Sequence, residues 1–269
     1  MILIDMKERI LHNLITECPW RDTLYWYPSI DSTNTRAKEM AKAGAPHGTT
    51  LSAGQQTGGR GRMGRTFQSP EGKGVYLSVI LRPGCKPEEL MHLTCAAGVA
   101  AAKAVEQVSG VCPQLKWIND LVVGTRKLGG ILVEMSVDKG IVDYAIIGIG
   151  INCLQGREDF PDEIADMATS LSLSAETIVA PQALAGALME QLWRMDEILL
   201  TQKNALMAAY KNRCITLGKA VQVIRGDSIR PGKAVDLDLD GGLWVEYEDG
   251  SRQVVSSSEV SVRGMYGYV

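Results

Sequence analysis

Residues 55–67, QQTGGRGRMGRTF, hold four glycines and three arginines, Arg60, Arg62 and Arg65, and no acidic residue occurs between Glu39 and Glu71. Glycine lets backbone N–H groups approach an anion closely, and arginine offers fixed donor forks for phosphate or carboxylate. Each such charge-assisted bond is worth roughly 1.5–3 kcal/mol, so a few of them can decide an anion's affinity. The competing reading is a flexible, solvated basic loop. It is neither a Walker A sequence, lacking a closing GK[ST], nor a dinucleotide-binding glycine fingerprint, whose spacing differs.

Further along, KWIND (116–120) places Lys116, Asn119 and Asp120 in an otherwise apolar run, and KLGGILVE (127–134) follows it. Polar groups buried in a strand need partners, which a ligand can supply; taken alone, Asn119-Asp120 reads better as a plain turn. Lys127 is either an edge residue that snorkels to water or a charge aimed into a pocket. Gly129 and Gly130 leave room for something flat against the backbone. IIGIGIN (146–152) reads as a core strand with a glycine bulge that ends in Asn152. Ser32-Thr33-Asn34 reads as a helix cap.

The elements that must carry these residues follow from periodicity. Met6, Ile10, Leu11, Leu14 and Ile15 recur at helical spacing up to Pro19, and a second helix spans 33–43, capped by Asp31 or Ser32 and stopped by Gly44. Strands are predicted at 24–27, 49–53, 75–81, 114–123, 129–135 and 142–152, with a hairpin turn at Gly124-Thr125-Arg126. One long helix fits 87–108, where alanines 96, 97, 100, 101 and 104 permit close packing on a sheet, and two more fit 181–200 and 203–213. After Gly218, short β-rich runs at 221–225, 234–239, 243–248, 253–255 and 260–263 suggest a small SH3-like barrel of about 50 residues. The expected class is α+β: a mixed sheet flanked by helices over 1–217, then a β module over 218–269.

Composition bounds the function. The chain has 269 residues, 45% apolar and 22% charged, with a net charge of −3, which is globular and gives no polybasic coat for nucleic acid. No apolar run approaches the ~20 residues needed to span a bilayer, and Asp5, Lys7, Glu8 and Arg9 interrupt any secretory signal. Six scattered cysteines and three dispersed histidines suggest neither a disulfide frame nor a structural zinc. A cytoplasmic location is expected.

Taken in order, STN, QTGGRGRMGR, KWIND, KLGGILVE and GIGIN resemble the biotin–protein ligases, also called biotin–acetyl-CoA-carboxylase ligases, over nearly the whole chain. The resemblance implies a class II synthetase-like catalytic domain with an SH3-like C-terminal module. It implies that Ser32, Thr33 and Asn34 line the biotin ureido end. Gln56, Arg60, Gly61 and Arg62 would hold the biotin tail and acyl phosphate, Lys127 would face the carboxylate, and Gly130 and Ile131 would add backbone contacts. Arg62, Arg65, Phe67, Asn119 and Asn152 would lie on the ATP side, with Asp120 as a metal ligand for Mg²⁺ carried on the phosphates. Phe67 stands where the family often has tryptophan, and Ile118 replaces the proline usual in KWPND.

The implied reaction has two halves. Biotin carboxylate attacks the α-phosphorus of ATP to give biotinyl-5′-AMP and diphosphate, and a lysine of a biotin carboxyl carrier domain then attacks the mixed anhydride. Arg62 and Lys127 are the expected catalytic charges, and the arginine loop, residues 57–66, is expected to close over bound biotin. Dimerisation through the central sheet is a further implication. The short stretch before Tyr25 leaves no space for a helix-turn-helix, so no DNA-binding regulation is expected. A lipoate or octanoate transferase on the same fold, and a nucleic-acid-binding module, are the alternatives. The arginine loop weighs against the first and the charge of −3 against the second.

Overall fold

The computed structural model describes residues 5–15, 17–256 and 261–264. Helix α1 (Met6–His12) starts at Asp5, whose side chain accepts from Lys7 N, and a 3-10 turn (Pro19–Thr23) leads into β1 (Leu24–Tyr27). Helix α2 (Thr33–Lys42) is capped by Ser32, whose Oγ accepts from Thr35 N at 3.4 Å. Its other end is held by Arg82, which donates to the carbonyls of Ala41 and Ala45 at 2.5 and 2.9 Å. Then follow β2 (Thr50–Ala53), β3 (Gly74–Leu81), α3 (Leu93–Ser109), β4 (Gln114–Lys116), β5 (Asp120–Val123), β6 (Arg126–Asp138) and β7 (Ile141–Asn152). Helices α4 (Asp162–Ala165), α5 (Pro181–Ile198) and α6 (Lys203–Arg213) complete this part.

The seven strands form one mixed sheet in the order β1-β2-β3-β7-β6-β5-β4, with β1 and β2 parallel and the remaining pairs antiparallel. Because side chains alternate across a strand, β3 and β7 serve two layers at once. Leu77, Val79, Ile147, Ile149 and Ile151 join the large core beneath α3 and α5, whereas Ile80, Tyr144 and Ile146 pack with Ala37 and Ala41 of α2. That division explains why both strands read as nearly continuous apolar runs. On the α2 side of the sheet the next even-numbered positions are Ser78, Gly148, Gly150, Gly130 and Leu132. The small residues among them let side chains from α2 and the arginine loop come close to the sheet, and a cavity opens there.

Two predicted elements are each split in the structure. The helix predicted over 87–108 is a 3-10 turn (Pro87–Leu90) followed by α3, the break falling at Met91-His92. There His92 turns fully inward, with Nε2 3.0 Å from the Leu199 carbonyl. The strand predicted over 114–123 is two antiparallel strands, β4 and β5, joined by a turn at Trp117–Asn119. Burial explains the misreading: Trp117 and Ile118 are 6% and 5% exposed, so an apolar turn looks like strand interior.

The C-terminal module is a five-stranded antiparallel sheet, β8 (Ala220–Arg225), β9 (Ser228–Leu237), β10 (Leu243–Tyr247), β11 (Arg252–Val255) and β12 (Ser261–Gly264), in the order β11-β10-β9-β8-β12. The run expected at 234–239 extends back to Ser228 and pairs with β8 across Gly226-Asp227. Val260, the expected start of the last strand, lies outside the described residues. Val221, Val223, Ala234, Leu237, Leu243 and Val245 merge with the main core, and Lys203 and Lys211 of α6 pair with Asp240 and Asp236. Among the described residues no helix is long and apolar enough to cross a membrane. All six cysteines are free thiols.

Candidate active site

A cavity of about 650 Å³ lies on the α2 side of the sheet. Its neutral end is built by the start of α2 and the base of the arginine loop. Gln56 Oε1 accepts from Thr33 N at 2.8 Å and from Thr33 Oγ1 at 3.1 Å, and Gln56 Nε2 donates to Ser69 Oγ at 3.0 Å. Ser78 Oγ lies 2.8 Å from Thr33 Oγ1 and 2.7 Å from Asn34 Oδ1, and Asn34 Nδ2 donates to Leu132 O and Glu134 Oε2. Ser32, Thr33 and Asn34 are thus buried and pre-oriented, Thr33 by the neutral Gln56 and Ser78, Asn34 by Ser78, the Leu132 carbonyl and the Glu134 carboxylate. The cap reading of Ser32 and the site reading hold together: the same turn that starts the helix aims these groups at the cavity.

The charged end lies two residues further along the strands. Leu132 pairs with Gly148 and Gly130 with Gly150, so the two ends stand roughly 7 Å apart along β6 and β7. Lys127 Nζ donates to Asp120 Oδ1 at 2.7 Å, above Gly130. Arg62 donates to Asn119 Oδ1 at 3.2 Å, and Asn119 in turn donates to Ile131 O at 3.2 Å. Burial pulls the half-buried Arg62 guanidinium below its ordinary value; Asp120 opposes that shift and the neighbouring Arg65 adds to it. Lys127 is set in place through its backbone: its N donates to Met167 O and its O accepts from Thr169 N, at 2.7 and 2.8 Å. Arg60, Arg62, Arg65, Lys116 and Lys127 line the cavity against a single carboxylate, Asp120. Such a site attracts an anion with one apolar, neutral-polar end and one highly charged end.

Glycines carve the floor. A Cβ on Gly148 would lie 1.9 Å from Asn34 Oδ1, and one on Gly150 would lie 2.4 Å from Phe67 Cε1. The pairing of β7 with β3 and β6 runs through both without a bulge, so the bulge reading gives way to close approach of side chains from above. Of the glycine pair in KLGGILVE, only Gly130 faces the cavity. Gly129 is required by the neighbouring strand, since its Cβ would meet Gly150 O at 2.5 Å.

The cavity brings together Ser32, Thr33, Asn34, Gln56, Arg60, Gly61, Arg62, Arg65, Phe67, Asn119, Asp120, Lys127, Gly130 and Ile131. It does not include Asn152. That side chain is buried, donates to Thr169 O at 2.9 Å and accepts from Gln155 Nε2 at 3.2 Å, so it fastens the segment that seats Lys127. Sequence reasoning gave no site role to Trp117, Gly148, Gly150, Met167 or Gln222, which also line the cavity. The alternating glycines carried a readable signal. Gln222 comes from β8 of the C-terminal module, and no local pattern marks it.

The family comparison agrees with this geometry. Residues 26–152 match the biotin/lipoate A/B protein ligase family and residues 216–263 match the biotin protein ligase C-terminal domain. The bifunctional ligase/repressor BirA of Bacillus subtilis is 34% identical over 252 residues, which is 93% of this chain and 77% of that protein. The chain belongs to the biotin protein ligase family. Another relative, the biotin–[acetyl-CoA-carboxylase] ligase of Mycobacterium tuberculosis, is 32% identical over 84% of either chain. The biotin protein ligase of Aquifex aeolicus, solved in complex with biotin and ATP, superposes with a TM-score of 0.76 at 29% identity, covering 90% of this chain and 99% of that one. The ligase fold is therefore shared across both modules, including the C-terminal sheet.

Proposed function

We propose that this ligase condenses biotin with ATP to biotinyl-5′-AMP and transfers the biotinyl group to a lysine of a carboxylase's biotin carboxyl carrier domain. The observation that carries the reading is the polarity of the cavity. Uncharged hydrogen-bonding groups (the buried Thr33 and Asn34 and the half-buried Gln56) suit a ureido ring, and Lys127 and Arg62 stand further along the strands, where a carboxylate tail would end. Relatives bearing the names biotin–[acetyl-CoA-carboxylase] ligase and a neighbour solved with biotin and ATP support it.

In the first half-reaction two anions must meet, so charge neutralisation dominates the barrier. Lys127 and Arg62 supply fixed positive charge at the reacting carboxylate and phosphorus, with Arg65 and Lys116 on the triphosphate side. Asp120, already hydrogen-bonded to Lys127, holds that ammonium at the cavity wall. The described residues contain no group of three or more His, Cys, Asp or Glu able to hold a metal by themselves. A single carboxylate beside a phosphate site does suit Mg²⁺ that arrives on ATP, since that ion is commonly held by one or two carboxylates plus substrate phosphates. Such an ion would neutralise phosphate charge, with Asp120 and Asn119 as the nearby oxygen donors. In the second half-reaction the acceptor amine attacks the acyl carbon and AMP leaves, and no enzyme nucleophile is required.

We place the boundary between catalytic and C-terminal modules at 217/218, a cytoplasmic location, a carboxylase carrier domain as partner and a homodimer through the central sheet as parts of the same proposal. Binding of duplex DNA is not expected at a net charge of −3. Incubation with biotin and ATP tests the reading: the product expected by mass is biotinyl-AMP, followed by biotinylation of an added apo carrier domain. Adenylation of lipoate but not biotin would overturn it.

A further inference from the structure

Glu134, the last residue of KLGGILVE, does not line the cavity, yet it touches two of the elements around it, the arginine loop and α2. Its Oε1 and Oε2 accept from Arg60 Nη2 and Nη1, both at 3.2 Å, in a two-point fork. Oε2 also accepts from Asn34 Nδ2 at 3.1 Å, and Lys38 Nζ of α2 stands 3.9 Å from Oε1. The carboxylate is shielded, 20% exposed, while Arg60 is 46% exposed.

The arginine loop is tied at its base by backbone bonds, Thr57 N to Ile30 O and Gly58 N to Asp31 O, and its limbs are tied to each other at Gly59–Phe67 and Gly61–Arg65. From the loop to the sheet beneath, two side-chain links stand out: Arg62 to Asn119 and Arg60 to Glu134. Arg62 is also assigned to the substrate's carboxylate and phosphate, so its donors are shared with the ligand. Arg60–Glu134 is the link that can persist while the loop is closed. Through the same carboxylate, Asn34 is fixed with Nδ2 toward Glu134 and Oδ1 toward Ser78, which sets the face its amide presents to a ligand.

We propose that Glu134 is a positioning residue, a latch whose two-point pair with Arg60 holds the arginine loop over the cavity while its bond to Asn34 sets the amide for the substrate's polar head. The second part rests on the biotin reading of the cavity; the first does not. Exposed ion pairs are often energetically silent, but bidentate geometry, a shielded carboxylate and a third hydrogen-bonding partner are the circumstances in which such a pair counts.

The test uses the full chain and the isosteric substitution Glu134→Gln, which leaves every trypsin site in the loop intact. In ligand-free protein, cleavage after Arg60, Arg62 or Arg65 should run roughly three- to tenfold faster in E134Q than in the wild type. The dissociation constant for biotin should rise roughly five- to tenfold, with the loss falling on KM for biotin rather than on kcat. Arg60→Gln should weaken biotin similarly, and the double variant should be no weaker than the worse single one. Added KCl should lower the affinity of the wild type by a larger factor than that of E134Q, which has lost the pair but keeps the charges that face the carboxylate. Equal cleavage rates in E134Q and wild type, or a double variant whose loss is the product of the single losses, would overturn the latch. Faster cleavage of E134Q in a protein that binds no biotin would uphold the latch and defeat the substrate reading.

Discussion

Replacing Gly148 by alanine adds one methyl group to the cavity floor, and its consequence can be worked from distances. The new Cβ would lie 1.9 Å from Asn34 Oδ1, where real Cβ contacts essentially never fall below 3.0 Å, so something must retreat by about 1 Å. The strand cannot, because β7 is paired on both sides across this position. Asn34 therefore leaves its place and gives up partners among Ser78, Leu132 O and Glu134. At roughly 0.5–1.5 kcal/mol for each hydrogen bond lost, the variant should be less stable by about 1–3 kcal/mol. For a chain of this size that is a fall in melting temperature of roughly 2–4 °C per kcal/mol. If Asn34 also contacts biotin, the dissociation constant should rise roughly 10- to 100-fold. Differential scanning calorimetry and titration calorimetry with biotin read the two effects. Removing the side chain that is struck should relieve the clash, so Asn34→Ala combined with Gly148→Ala should cost no more than Asn34→Ala alone. A Gly148→Ala protein with wild-type melting temperature and wild-type biotin affinity would refute the reasoning.

Other outcomes follow from the same geometry. Lys127→Ala removes a charge partner of the reacting carboxylate and should slow biotin-dependent diphosphate release by roughly 10²–10³; an undiminished rate would remove Lys127 from the mechanism. Trp117→Phe keeps an aromatic ring, though a smaller one, and loses the bond from Nε1 to Gly241 O, 2.8 Å long, that joins the β4–β5 turn to the C-terminal module. Urea unfolding should show a loss of about 1–3 kcal/mol, because that carbonyl is left buried without its donor. His47 donates from Nε2 to Asp196 at 2.8 Å, and that bond holds its pKa above the ordinary value. Its stabilisation is therefore fully present below about pH 6.5, the unfolded value, and is lost as pH rises through the folded one. Asp196→Asn should then destabilise more at pH 5.5 than at pH 8.5, and equal losses at both would contradict the assignment. Ligand should protect the loop: trypsin should cut residues 57–66 more slowly with biotin present, and equal rates with and without biotin would count against closure.

Much of the site was legible because its chemistry is local. Three arginines among four glycines offered an anion loop against the competing reading of a solvated basic loop, and the Ser32 cap points the next residues across the start of α2. Lys127 was legible as one of two choices, since an amine opening an apolar strand either meets water or a pocket; here it meets Asp120 in a pocket. What escaped reading depends on tertiary contact. Asn152 ends the strand that floors the cavity, but the carbonyl of Thr169, 17 residues on, captures its amide. Gln222 reaches the cavity only because the C-terminal sheet docks against the β4–β5 turn through Trp117 and Gly241. The turn at Trp117–Asn119 hid inside an apolar run because Trp117 and Ile118 are buried by packing outside the strand pairing.

The account stands most directly on where the vitamin's acid group sits. A crystal structure of the protein with biotin should place the carboxylate within ion-pair distance of Lys127 and Arg62, and the ureido ring beside Thr33 and Asn34. Biotin bound in the reverse sense, or with its carboxylate out of reach of both cations, would contradict it.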